Sequence, residues 1–74
     1  MTLREGKVGE TFCVEKIEPS PLKSRLMTMG LTKGTKIEVM PSAPFGDPMA
    51  IKIRSYKLAL RREDAEKVIV QKVG

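Results

Sequence analysis

The sequence predicts a mainly β domain: a small, partly open barrel of about five strands, with one short helix after the first strand and a short helical turn before the last. Three observations carry this reading. Apolar and polar residues alternate over five short stretches, the period-2 signature of strands with one buried face. Glycine and proline clusters break the chain between those stretches at close intervals. Only Leu22, Leu26 and Met29 recur at helical spacing over more than one turn. With 74 residues there is room for one small domain, 1–74, and no second core.

Taken in order, residues 1–9 show little period; Leu3 and Val8 can anchor them, and Gly6 and Gly9 bracket a turn. Phe12, Val14 and Ile17 favour a first strand from Glu10 on, and the alternation slips near Ile17, leaving room for a bulge or the strand end. Pro19 and Pro21 end it, because proline cannot donate to a strand ladder. Ser20-Pro21 reads as a helix start, serine as the cap and proline at the first helical position. Lys23 stands where a capping box would place Glu or Gln. The helix runs two to three turns on the Leu22, Leu26, Met29 stripe and stops at Gly30 in the left-handed region. A helix this short is unstable alone, so the stripe must pack on the sheet.

Leu31-Thr32-Lys33-Gly34-Thr35 is a turn with Gly34 at a position calling for positive φ. Ile37 and Val39 mark a second strand. Residues 41–48, Pro-Ser-Ala-Pro-Phe-Gly-Asp-Pro, form a rigid loop turning at Gly46-Asp47. Ile51 and Ile53 point inward from a third strand over residues 49–54. Ser55-Tyr56-Lys57 makes a tight reversal, and Tyr56, Leu58 and Leu60 alternate in a fourth. Residues 62–66 form a helical turn, and Val68 and Val70 define a last strand. Strand, helix, three-strand meander, helical turn and strand fit an SH3-like barrel. An OB-fold has five strands too, but places its helix between the third and fourth.

Composition narrows the function classes. Apolar residues make up 41%, and the only aromatics are Phe12, Phe45 and Tyr56. Cys13, the single cysteine, excludes an intramolecular disulfide and reads as a small buried apolar residue. No charged-then-apolar leader and no run of about 18 apolar residues is present, so a cytoplasmic protein without direct membrane insertion is expected. Net charge is +5, from 14 Lys plus Arg against nine Asp plus Glu, and the cations are scattered from Arg4 to Lys72. Scatter of this kind suits a soluble surface better than a nucleic-acid groove.

Three stretches carry a family likeness: Leu26-x-x-Met29-Gly30-Leu31-x-x-Gly34; Ala43-Pro44-Phe45-Gly46-Asp47-Pro48; and Leu58-Ala59-Leu60-Arg61 followed by Ala65. In this order, over nearly the whole chain, they resemble the FeoA family of small accessory proteins of bacterial ferrous-iron uptake. The resemblance implies an SH3-like fold and an interaction module acting with the FeoB permease, which bears a cytosolic GTP-hydrolysing domain. The partner's location allows a peripheral position at the inner face of the membrane.

No metal, cofactor or catalytic site is expected. Histidine is absent, so nothing is placed to activate Cys13 or a serine. Glu63, Asp64 and Glu66, the densest acidic group, read as a solvated helical turn rather than a ligand set. Leu26, Met29, Gly30, Leu31, Gly34, Pro44, Gly46, Asp47, Pro48 and Leu60 are assigned to structure. Arg25, Met27 and Phe45 are the candidate partner contacts, since an exposed Met and Phe beside a basic side chain suit an adaptable anchor. The alternative is a small basic barrel binding nucleic acid or another protein. Self-association along a free edge at the last strand is open.

Overall fold

The computed structural model describes residues 1–42 and 45–73. Five antiparallel strands form one sheet in the order β4-β3-β2-β1-β5: β1 Thr11–Ile17, β2 Lys36–Met40, β3 Met49–Ile53, β4 Tyr56–Leu60 and β5 Val68–Val73. Helix α1, Lys23–Thr28, follows β1, and α2, Arg62–Ala65, precedes β5. The mainly β architecture, the strand count and both helix positions match the sequence expectation.

Alternation explains each strand's burial. Phe12 and Val14, Ile37 and Val39, and Met49, Ile51 and Ile53 turn inward, with Leu60, Val68 and Val70 completing that face. Leu26, Leu31, Leu3 and Ala65 cover it from the helices and turns. Phe12 is fully buried and supplies the core's one aromatic ring. The slip in β1 is real: the register with β5 shifts between Val14 and Lys16. That bulge lets Val14 and Ile17, three residues apart, both face the core.

The helix stop is a Schellman motif. Gly30 takes φ +104°, its N–H bonds the Met27 carbonyl at 3.0 Å, and the Leu31 N–H bonds the Leu26 carbonyl at 3.0 Å. Leu26 and Leu31, the apolar pair that accompanies this motif, are both buried. Thr35, a buried polar residue, donates its hydroxyl to the Gly30 carbonyl at 2.9 Å and ties the stop to the next turn. Gly34, at φ +90°, then donates to the Val14 carbonyl at 2.8 Å, locking the turn onto β1.

Several local expectations shift. Regular helix begins at Lys23, two residues later than Ser20-Pro21 suggested. Ser20 does not cap it, since the flanking residue is Leu22 and no side chain bonds that end; its Oγ accepts the Leu22 N–H at 3.2 Å and its carbonyl accepts the Lys23 N–H at 3.1 Å, closing a tight turn before the helix. The β3–β4 reversal is the two residues Arg54-Ser55, since Tyr56 already pairs with Ile53; Arg54 takes φ +52° there. Val8 is no anchor. It is exposed, and its turn is held by backbone bonds from Gly9 N–H to the Val39 carbonyl and from Glu10 N–H to the Lys7 carbonyl. Cys13, on the outer face of β1, is half-buried rather than buried. The N-terminus lies along β5, with the Val70 N–H bonded to the Met1 carbonyl and Thr2 paired with Ile69, so part of the last strand's edge is covered.

Candidate partner-binding site

Helix α1 buries Leu26, half-buries Leu22 and Met29, and leaves Arg25 and Met27 exposed. The two exposed residues flank different depressions. On one side, Arg25 joins Leu22, Met29 and Leu60 on a shallow apolar floor, rimmed by Arg61 and Asp64 from the start of α2. On the other, Met27 stands over Ile17 and Leu31, with Lys23 and Lys33 at the rim. Both floors are apolar and both rims charged, the composition of a protein-binding patch.

Phe45 lines neither depression and is 97% exposed. A phenylalanine so fully in water gains nothing from its own fold. Its loop is nonetheless held. The Arg62 guanidinium donates to the Gly46 carbonyl through Nε and to the Arg4 carbonyl through Nη1 at 3.2 Å. Asp47 accepts the Arg62 backbone N–H at 3.1 Å, capping α2, whose own flanking residue Arg61 makes no side-chain cap. A depression over Arg4, Asp47, Pro48 and Arg62 shares Arg61 and Glu63 with the Arg25 depression. The Phe45 loop and Arg25 therefore border one continuous surface, and Met27 lies on the opposite flank of α1. Pro44, assigned to the same motif, lies outside the described residues.

The acidic turn is ion-paired: Glu66 with Arg4, and Glu63 with Arg61 at 3.8 Å. Among the described residues, no three His, Cys, Asp or Glu side chains come together. Hydrogen bonds from the Lys72 ammonium at 2.9 Å and the Lys7 N–H at 2.7 Å hold the Glu10 carboxyl below its ordinary pKa. The Thr2 N–H at 2.9 Å does the same for Glu5. Sequence reasoning missed two of these features. Thr2-x-x-Glu5 carries the capping-box spacing and was readable. The role of Arg62 was not, since its targets are backbone carbonyls distant in sequence.

The FeoA domain model matches residues 1–72. The chain belongs to the FeoA domain family. A fusion of Fe(2+) transport protein A with the Fe(2+) transporter FeoB from Porphyromonas gingivalis is 34% identical over 75 residues, covering all of this FeoA domain and 9% of the fusion. The chain thus spans a small part of that relative. FeoA from Chlorobium tepidum superposes with a TM-score of 0.91 at 35% identity, covering 100% of this chain and 71% of that one. The zinc complex of Stenotrophomonas maltophilia FeoA, described as a prokaryotic SH3 domain protein, superposes at 0.85 with 26% identity, covering 96% and 89%. No helix among the described residues is long and apolar enough to cross a membrane.

Proposed function

We propose that this FeoA domain is an accessory protein of ferrous-iron uptake that binds the cytosolic side of an FeoB-type transporter and performs no covalent chemistry. The observation that carries this reading is the Porphyromonas gingivalis fusion, in which a homologous domain shares a chain with the transporter. Fusion replaces a bimolecular encounter by an intramolecular one and raises effective concentration to about the millimolar range for short linkers. Wherever the two are not covalently joined, the FeoA domain's own surface must supply the same association. The surface bordered by Arg25 and the Phe45 loop, together with the Met27 flank, offers the exposed Met, Phe and Arg that such a contact needs.

The test is calorimetric titration of the full chain with the cytosolic domain of its FeoB. Phe45→Asp and Met27→Asp should each weaken binding about tenfold or more while the circular dichroism spectrum and Tm hold, because neither side chain is in the core. Unchanged affinity in both variants removes these residues from the contact. Absence of any binding by the wild-type chain sinks the reading.

A further inference from the structure

Cations scattered along the sequence gather when the strands pair. On the outer face of the sheet the register sets Lys57 opposite Lys52, Lys52 opposite Glu38, and Glu38 opposite Thr11. Lys36 is beside Cys13 on the same face. Arg54, at the β3–β4 turn, borders one depression with Lys36 and Lys52 and a second with Lys33 and Lys36. Lys33, Lys36, Lys52, Arg54 and Lys57 are all exposed, and none forms an ion pair among the described residues. Against them stands Glu38 alone, so this face holds an excess of four positive charges where the whole chain carries +5. Two like charges directly opposite in a sheet destabilise it. The Lys52–Lys57 pair is therefore a cost to folding that an anionic partner would offset.

The chemistry of the face selects among anionic partners. None of the three aromatics stands on it: Phe12 is in the core, Phe45 is in the 41–48 loop, and Tyr56 pairs with Ile53 on the inner side, its hydroxyl donating to the Met29 carbonyl. Single-stranded nucleic acid lacks stacking platforms here, and among the described residues no helix projects from this face to enter a duplex groove. Ala50 sits between Ala59 and Met40 on this face, and Met40 is half-buried, so no fully exposed large apolar side chain stands here as an anchor of the kind protein hot spots use. Four of the five cations are lysines, flexible point charges that suit phosphates at no fixed spacing. We infer that this outer sheet face, Lys33, Lys36, Lys52, Arg54 and Lys57, is a docking surface for the anionic phospholipid headgroups of a membrane. The choice of a bilayer rests in part on the proposed function, which places the domain beside a membrane transporter.

The experiment is co-sedimentation of the full chain with vesicles of phosphatidylglycerol and phosphatidylethanolamine, and with phosphatidylcholine alone, at low and high salt. Binding should be confined to the anionic vesicles and fall away at high salt. Lys52→Gln with Lys57→Gln should weaken it roughly 25-fold, at about fivefold for each cation removed from near the surface. Lys7→Gln with Lys67→Gln, an equal loss of charge off this face, should weaken it much less. Thermal melts check the fold, and Lys33→Gln with Lys36→Gln repeats the test if the first pair is damaged. Equal losses in the on-face and off-face pairs, no retention on anionic vesicles at low salt, or tighter binding to a DNA duplex in the same buffer would each overturn the inference. No permease is present, so this outcome is read independently of the titration with FeoB.

Discussion

Two glycine-closed segments with similar punctuation, residues 26–35 and 45–48, are held in different ways. In the first, every turn is fixed by main-chain bonds: Leu31 to Leu26, Gly30 to Met27, Gly34 to Val14 and Thr35 to Thr32. Its apolar residues Leu26 and Leu31 are buried. In the second, Gly46 and Asp47 are tied chiefly to one residue of α2, Arg62, and the apolar residue Phe45 is left in solvent. The first segment is part of the core, and its residue choices are accounted for by folding. The second is stapled to the surface from outside, and folding alone does not account for its phenylalanine. That asymmetry places the 45–48 loop, rather than the helix stop, among the candidates for recognition.

The largest break should come from the first segment. Leu26→Ala removes a 98% buried side chain that is both core and half of the Schellman apolar pair. It should cost about 3 kcal/mol, within the usual span for buried Leu→Ala. In a domain whose total stability is of order 5 kcal/mol, that leaves much of the chain unfolded well below the wild-type midpoint. A urea titration followed by circular dichroism measures it. A cost below about 1 kcal/mol would show that this segment is no more structural than the loop.

Arg62→Ala is the matching break in the second segment. It deletes the guanidinium bonds to the Gly46 and Arg4 carbonyls, while the bond from the residue 62 backbone N–H to the Asp47 carboxylate survives. The expected loss is about 1 kcal/mol, since both guanidinium contacts are near solvent. Loop cleavage in limited proteolysis should rise more than that figure suggests, because local opening then breaks only the Asp47 cap bond to α2. If global stability falls as far as in Leu26→Ala, the loop is integral to the core and the contrast fails.

The legible parts of the molecule were those whose physics is local. Ile37, Val39, Ile51 and Ile53 announced their strands by alternation, and the slip near Ile17 left room for the bulge that the β1–β5 register shows between Val14 and Lys16. Gly30 and Gly34 stand at positive φ because the helix stop and the following turn demand it, a demand written in spacing alone. What stayed hidden depends on partners far along the chain. Arg62 reaches back 58 residues to Arg4, and nothing in its neighbours marks it as a staple rather than a surface cation. The basic outer face was likewise invisible, since Lys36, Lys52 and Lys57 meet only once the β2–β3–β4 register is known. Arg25, Met27 and Phe45 could be named as a set from sequence, but not the division of Met27 from the other two by the body of α1.

The smallest expected effect concerns neither segment and calibrates both. Glu10 is half-buried at the root of β1, bonded to Lys72 and to the Lys7 N–H, and its folded pKa is lowered, first by the Lys72 hydrogen bond and then by the Lys7 backbone bond. A carboxyl whose folded pKa lies below its unfolded value stabilises the fold above the unfolded pKa, and that contribution is lost as pH falls through the folded one. Glu10→Gln should therefore lower Tm slightly at neutral pH, and the difference from wild type should close as pH drops below about 4. Added salt should shrink the same difference at neutral pH, since the pair is open to solvent. Paired thermal melts across pH measure it. A gap that persists at low pH would mean that Glu10 acts through the Lys7 turn geometry, which Gln could only partly restore, rather than through its charge.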